Sequence, residues 1–164
     1  MATSAARPAF SGLVVHHDER FGYSLLVPDG WQRLGLAGSA HGVFYAPDAA
    51  DLLTGLAVDA ERLAVPLRAS DLAALRSGLR AGLRRLPAGR ITACSAEAIG
   101  ALLTLEARAT FDQAGSRAQR WVRLLYGGSV QVRLIAQAAS PERFAYWEPM
   151  FFTAMRSVHF GHDW

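Results

Sequence analysis

The strongest pattern in the chain is an alternation of hydrophobic and polar residues in its second half. Hydrophobic residues occupy every second position in three successive segments, at 103–111, 122–126 and 130–136. A glycine-containing turn separates each segment from the next, so the pattern predicts three antiparallel β-strands joined as a meander. Shorter segments that predict further strands lie at 13–15, 21–27, 43–45, 56–63 and 91–98.

Two other segments repeat hydrophobic residues every three or four positions, which is typical of amphipathic helices. In the first, leucines recur over positions 72–86, and Ser70 is the expected N-cap. The second helix follows Ser140, has Pro141 in its first turn, and is expected to kink or restart at Pro149. Its predicted apolar stripe consists of Phe144, Trp147, Phe151, Met155 and Val158.

Strands flanked by two helices predict an α+β fold with layered helices and sheet. The 164 residues are enough for one domain, and 51% hydrophobic with 19% charged residues is an ordinary globular composition. We expect a single domain over 12–161, preceded by a disordered or extended leader at 1–11 and followed by a tail at 162–164. No repeat or linker divides the chain.

The segment YSLLVPDGW, at 23–31, ends an alternating strand abruptly. Pro28 cannot donate a hydrogen bond to a strand ladder, and the following Asp29-Gly30 pair favours a turn. Trp31 is the first large residue after that turn. We interpret it as a core residue that fills the end of the sheet.

The order of these elements resembles the PsbP-like fold over about residues 12–160. The resemblance rests on the hairpin that runs into VPDGW, the short strand VFY, and the last helix ending in MRSVHF. It implies an α/β/α sandwich around a central, mostly antiparallel sheet of about six strands. It also implies a non-catalytic role, since proteins with this fold mostly bind other proteins. The residues that carry it are Tyr23, Val27, Pro28, Gly30, Trp31, Phe44, Ser157 and Phe160.

Charge and targeting signals limit the expected cellular location and the expected kinds of partner. All 17 basic residues are arginine, which a GC-rich genome would explain, and the net charge of +3 is too small to argue for nucleic acid. The N-terminal segment has no apolar h-region, the single Cys94 is far from the N-terminus, and no apolar run approaches membrane-spanning length. We therefore expect a cytoplasmic bacterial protein, rather than the photosystem or envelope roles of other PsbP-like proteins.

The polar face of the meander carries the first candidate site. A three-residue GGS turn would place Arg123 opposite Arg133, an unfavourable pair of like charges. The preceding hairpin would place Glu106 opposite Arg123 and Arg108 beside Trp121, a cation–π arrangement. We consider two interpretations: these residues lie beneath the C-terminal helix or in solvent, or they form a patch that binds acidic groups of a partner.

Three other groups of side chains have simpler interpretations. Arg76, Arg80 and Arg84 form a stripe on the first helix, expected to be a solvated face, with phosphate or an anionic surface as the alternative ligand. Cys94 lies among small residues and is expected to be inert. The remaining group is metal-capable, but adjacent strand histidines point to opposite faces and the other two histidines lie at the chain end, so we expect no metal site. It consists of His16, His17, Asp18, Glu19, His159, His162 and Asp163.

No nucleophile elbow, phosphate loop or dinucleotide fingerprint is present, so we expect a protein that is not an enzyme and needs no cofactor. The sequence favours a protein-interaction or adaptor domain, whose partner is another protein, with a second copy of this chain among the candidates. We expect no nucleic-acid or membrane partner. The alternative is a carrier of a small apolar ligand, with a pocket lined by Trp31, Phe44, Tyr45, Trp147, Phe151 and Phe152.

Overall fold

The computed structural model describes residues 8–161, which fold as ten β-strands, a short 3₁₀ turn and two α-helices. The predicted leader's first seven residues and the predicted tail lie outside the described residues. The strands are β1 (Leu13–Asp18), β2 (Tyr23–Pro28), β3 (Gln32–Gly35), β4 (Val43–Ala46), β5 (Gly55–Arg62), β6 (Arg90–Ile99), β7 (Leu102–Gln113), β8 (Ser116–Gly127), β9 (Val130–Ala138) and β10 (His159–Phe160). The helices are α1 (Leu72–Arg84) and α2 (Pro141–Arg156).

The strands form two antiparallel sheets. The large sheet has seven strands in the order β3-β4-β5-β9-β8-β7-β6, and the small sheet has the order β1-β2-β10. The resemblance implies about six strands in a single central sheet. In the structure the early hairpin, β1 and β2, belongs instead to the separate small sheet. The sequence also predicts a loop over 32–40, where the structure has β3. This strand lies at the edge of the sheet and contains one large apolar residue, Leu34, so it has no alternating pattern to reveal it.

The register of the meander is confirmed in one hairpin and wrong in the other. Between β7 and β8, Glu106 lies opposite Arg123 and Arg108 opposite Trp121, as predicted. The β8–β9 turn has two residues rather than three, with Gly128 at φ +59°. Arg123 therefore lies opposite Leu134, and the predicted pairing with Arg133 does not form. The one-residue shift places the two arginines on opposite faces of the sheet.

Each face of the large sheet is covered by a different helix. Trp121, Leu125 and Leu134 point towards α2 and share a core with the small sheet. Val122 and Leu124, which alternate with them along β8, point towards the leucines of α1. The fold is therefore α+β, with a large antiparallel sheet and two helices.

The predicted N-terminus is confirmed for α2 and wrong for α1. At α2, the Ser140 hydroxyl accepts a hydrogen bond from the Arg143 backbone N–H (3.2 Å) and caps the helix, which begins at Pro141 as predicted. Pro149 lies inside this helix, which continues without a restart. At α1, Ser70 lies in a 3₁₀ turn that precedes the helix, so it is not the N-cap. The Asp71 carboxylate accepts from the Arg68 N–H (2.7 Å) instead.

The turn after β2 is formed as predicted, with Gly30 at φ +80°, a conformation that favours glycine. Trp31 is half-buried and packs edge-to-face against Trp147 and Phe151, at ring-centroid distances of 5.5 and 5.9 Å. It thus contacts α2 rather than filling the end of a sheet. The other end of α2 is tied down by Ser157, whose Oγ accepts from the Leu26 N–H (2.8 Å).

None of the helices within residues 8–161 has the length and apolar character needed to cross a membrane.

Candidate functional site

Four of the five predicted site residues meet in one network where β7 and β8 pass beneath α2. Glu106 is its centre: it accepts from Trp121 Nε1 (3.0 Å) and from Arg156 Nη2 (3.3 Å), and its second oxygen lies 3.7 Å from Arg123 Nε. The network forms because the β7–β8 register places Glu106 beside Arg123 on the face that α2 covers. One half-buried carboxylate is thus shared by two guanidinium groups and an indole.

Arg108 forms the second part of this network. Its guanidinium lies 4.4 Å from the centroid of the Trp121 ring, close enough for a cation–π contact, and its Nη1 is 2.5 Å from Glu148 Oε1 of α2. The predicted contact between Arg108 and Trp121 is therefore present. Trp121 itself is fully buried, so it supports the arginine and presents no surface to a partner.

Arg123 lies deepest in the network. Its Nη1 donates to the backbone carbonyl of Met155, whereas its Nε makes no hydrogen bond. Burial lowers the pKa of this guanidinium, and the nearby charge of Arg156 lowers it further, while Glu106 opposes both effects. Arg123 therefore fastens β8 to the end of α2 and is not available to a partner.

Arg133 does not belong to this network. The β8–β9 register places it on the other face of the sheet, where its Nη2 lies 2.7 Å from Asp59 Oδ2 of the neighbouring strand. Its predicted place beside Arg123 depended on a three-residue turn between β8 and β9, and the turn has two residues. An exposed pair of this kind contributes little to stability.

The exposed side of the network comes from α2 and was not predicted. Glu148, Phe152 and Arg156 recur at four-residue spacing and line one flank of the helix. Phe152 is 52% exposed, and the Arg156 guanidinium lies 5.7 Å from its ring centroid. The i, i+4, i+8 spacing was the signal available in the sequence. We call these three residues, together with Glu106 and Arg108, the α2 flank.

The sheet beside the α2 flank is uncovered. The register pairs Ser95 with Glu106 and Ala93 with Arg108, so these residues of β6 lie on the same face as the network. Both are exposed, as is Glu97 two residues further along. The α2 flank therefore borders an open shelf of small and polar side chains, which leaves room for another molecule to reach Phe152 and Arg156.

A second polar cluster lies between the two sheets. His16 is buried and is hydrogen-bonded through Nδ1 to the Tyr45 hydroxyl (2.7 Å) and through Nε2 to the Tyr23 hydroxyl (3.3 Å). Burial, followed by the charge of Arg33, lowers the pKa of His16, and burial raises the pKa of both tyrosines. The three side chains are neutral and satisfy one another, so we interpret the cluster as structural. His17 points to the other face and contacts Ser24 Oγ (2.6 Å).

The six aromatic residues of the predicted ligand pocket do not line a single site. Trp31 packs against both Trp147 and Phe151. Tyr45 faces the same core as this group, whereas its neighbour Phe44 points to the opposite face of the large sheet. Phe152 lies on the far side of α2, against Trp121.

The remaining candidates lie near α1 or at the chain end. Cys94 is half-buried in β6 against the α1 leucines. Among residues 8–161, no three histidine, cysteine or acidic side chains converge in a way that could hold a metal ion. His162 and Asp163 lie outside the described residues.

No family model and no curated protein matches this chain. Solved structures do match it. The solution structure of cyanobacterial PsbP (CyanoP) from Synechocystis sp. PCC 6803 covers 97% of this chain and 98% of its own, at 17% identity and a TM-score of 0.61. The chain has the PsbP-like fold. LpqN of Mycobacterium tuberculosis, described as involved in cell envelope biogenesis, shares the fold at 16% identity and a TM-score of 0.62 over 92% of this chain and 91% of its own.

A third solved structure, from Bacteroides thetaiotaomicron VPI-5482, matches 87% of this chain at 9% identity and a TM-score of 0.59, but the match spans only 46% of that longer protein. At these identities the likeness concerns the fold alone.

Proposed function

We propose that this protein is a non-catalytic module that binds another protein, and that the partner binds at the α2 flank. The observation that supports the proposal is the half-exposed Phe152, which lies beside Arg156 and borders an uncovered sheet face. Aromatic residues and arginines dominate the binding energy of protein interfaces, and they do so best where a supporting network holds them in place. Here the Glu106 and Arg108 contacts provide that support.

The exposed Arg156 favours a partner with acidic groups. The network holds three arginines, at 108, 123 and 156, against the two carboxylates of Glu106 and Glu148, and Glu97 on the neighbouring shelf balances the third charge. Because Arg156 is 44% exposed, its guanidinium can also bind a partner's carboxylate. The site therefore suits a partner surface that carries an apolar side chain for Phe152 and a carboxylate for Arg156.

The solved relatives support an accessory role without defining one. One is a cyanobacterial PsbP and another is described as involved in cell envelope biogenesis, so a single fold serves in different settings. A cytoplasmic location and a second copy of this chain as the partner stay predictions.

The structure decides which variants test the proposal. Arg123→Glu would place an unpaired carboxylate beside Glu106 in a buried position and is expected to unfold the protein, so it cannot report on binding. The better test is the double variant Phe152→Ser with Arg156→Gln, since both side chains are substantially exposed. The matched control is Leu52→Ser with Arg143→Gln, because Leu52 is 56% exposed and Arg143 also forms an exposed salt bridge, to Asp51.

The experiment is capture of proteins from the host's lysate by the tagged chain, followed by photo-cross-linking from benzoylphenylalanine placed at position 152. We expect one stoichiometric partner that is cross-linked at 152, retained by the control variant, and lost with Phe152→Ser/Arg156→Gln. Equal capture by both double variants would overturn the proposal, and so would the absence of a stoichiometric cross-linked product.

A further inference from the structure

The outer edge of β6 is an unpaired strand edge. β6 is the last strand of the large sheet, and within residues 8–161 no strand pairs with its outer side. A bulge interrupts its pairing with β7 between Ile91 and Ala93, after which the register is regular to Ile99. Natural edges are usually protected by lysine, proline or short length, but this regular segment has neither residue type and a single charge, Glu97. It is therefore able to accept another strand.

One side chain shows which backbone groups point outwards. Arg76 Nη2 of α1 donates to the Cys94 carbonyl oxygen (3.3 Å), so this carbonyl faces away from β7. Residues of an antiparallel edge strand alternate between pairing with the neighbour and pointing outwards. The outward groups beyond Cys94 thus belong to Ala96 and Ala98. Three small side chains accompany these groups and leave the edge sterically open.

A basic stripe runs beside this edge. Arg80 and Arg84 follow Arg76 at four-residue spacing and lie on the same side of α1. The N-terminal leucines of α1 share a cluster with Ala96, and the C-terminal leucines share one with Ile91, so α1 runs alongside β6 in the opposite direction. None of the salt bridges within residues 8–161 involves these arginines, and α1 contains no acidic residue.

The spacing of the stripe matches that of a strand. Four residues of helix advance by about 6 Å, and two residues of a strand advance by about 6.6 Å. A strand added to β6 would therefore present every second side chain to successive arginines of α1. Acidic side chains at those positions would be neutralised, whereas basic ones would be repelled.

We infer that the β6 edge binds an extended acidic segment of another protein as an added antiparallel or parallel strand, with alternate Asp or Glu side chains on Arg76, Arg80 and Arg84. Backbone pairing supplies the affinity and the arginine stripe supplies the preference for acidic sequences. This surface is distinct from the α2 flank and uses different residues, so the two proposals fail independently.

The test uses two synthetic octapeptides, one alternating Glu with Val and the other alternating Gln with Val, titrated into the whole chain and followed by backbone NMR. We expect the Glu peptide to bind with a dissociation constant below about 1 mM and to shift and protect the amides of Cys94, Ala96 and Ala98. The Gln peptide should bind about tenfold more weakly, since each exposed ion pair contributes only a fraction of a kcal/mol.

Two sets of variants separate charge from backbone pairing. Arg76→Gln/Arg80→Gln/Arg84→Gln should abolish the preference for Glu, while Arg20→Gln/Arg62→Gln/Arg143→Gln, which removes equal charge elsewhere, should keep it. Ala96→Pro should block binding without unfolding the chain, because its N–H faces outwards. If that variant does not fold, a Glu peptide N-methylated at alternate residues makes the same test without altering the protein.

Four results would overturn the inference. The first is no binding of the Glu peptide at about 1 mM. The second is equal affinity for both peptides. The third is a set of shifted amides that lies outside β6 and α1. Self-association of the free chain that Ala96→Pro abolishes would also overturn it, because a second copy would then be the occupant of the edge.

Discussion

Both helices of this protein carry an apolar stripe, but they are buried to different extents. α2 buries Phe144, Phe151, Ala154 and Met155 in the core that the large and small sheets share. α1 buries only Leu83, and its other leucines lie half-exposed on the sheet. The cause is the number of covering layers. The small sheet and Trp31 surround α2, whereas α1 rests on the large sheet alone.

The comparison shows that a hydrophobic pattern defines which side of a helix faces the protein, but not how much area it buries. The burial depends on neighbours that are distant in sequence, such as Trp31 and the β2 strand for α2. It also has a functional consequence. The shallow α1 keeps its arginines beside an open strand edge, and the deep α2 exposes only one flank, supported by a network beneath it.

The largest expected change in stability comes from a substitution on the buried face of α2. Phe151→Ala would create a cavity in the shared core, because this ring is fully buried, and should lower the free energy of unfolding by about 3–5 kcal/mol. Leu79→Ala, in half-buried α1, should cost only about 1–2 kcal/mol. Urea unfolding followed by circular dichroism measures both values.

The control for this pair is Phe152→Ala, which removes an equally large ring next to Phe151 in sequence. Because Phe152 is exposed, its loss should change stability by less than about 1 kcal/mol. Equal losses for Phe151→Ala and Leu79→Ala would show that α1 is buried as deeply as α2, and the comparison would then be wrong.

Most of the strands and both helices were predictable, because alternation and three-to-four spacing are local properties of the chain, but β3 and β10 are too short to show such a pattern. The β7–β8 register was also predictable, since aligning Phe111 with Ala118 places Glu106 opposite Arg123. The β8–β9 register was not, because the GGS sequence suits turns of two or three residues. The difference of one residue in turn length decides whether Arg133 lies on the same face of the sheet as Arg123 or on the opposite face.

The exposed half of the candidate site was harder to predict for a different reason. Glu148, Phe152 and Arg156 belong to α2, and nothing local indicates that this flank lies over β7 rather than over solvent. The hydrogen bonds of His16 also join segments distant in sequence, since Tyr45 belongs to another strand and another sheet. Contacts of this kind depend on the packing of sheets and helices, which the alternation of a single strand does not encode.

A smaller effect, of the opposite sign, is expected on the exposed side of α1. A Cβ atom added to Gly78 or Gly82 meets no other atom within 4 Å, and neither residue has a positive φ. Alanine has the higher helix propensity, so Gly78→Ala and Gly82→Ala should each raise the free energy of unfolding by about 0.5–1 kcal/mol. Urea unfolding of the single and double variants checks this value.

The control is Gly55→Ala, where the added Cβ would lie 2.4 Å from the Tyr45 carbonyl oxygen. That substitution should be destabilising, because backbone would have to move. If the α1 variants also lost stability, these positions would be packed, and α1 would not have the open side that distinguishes it from α2.

The last difference between the two sides is their response to pH. The α2 side contains His16, whose pKa is lowered mainly by burial, whereas the only titratable residues of α1 are arginines. As the pH falls below about 6.5, the unfolded chain binds a proton on this histidine before the folded protein does. The stability that neutral His16 contributes is therefore complete above this pH and is lost as the pH falls towards the lower folded pKa.

The free energy of unfolding, measured between about pH 7.5 and 5, should decrease as the pH falls. His16→Gln should flatten this pH profile, because it removes the titrating group. A slope that survives in His16→Gln would assign the pH dependence to other groups. It would also remove this cluster as the reason why the α2 side, and not α1, responds to acid.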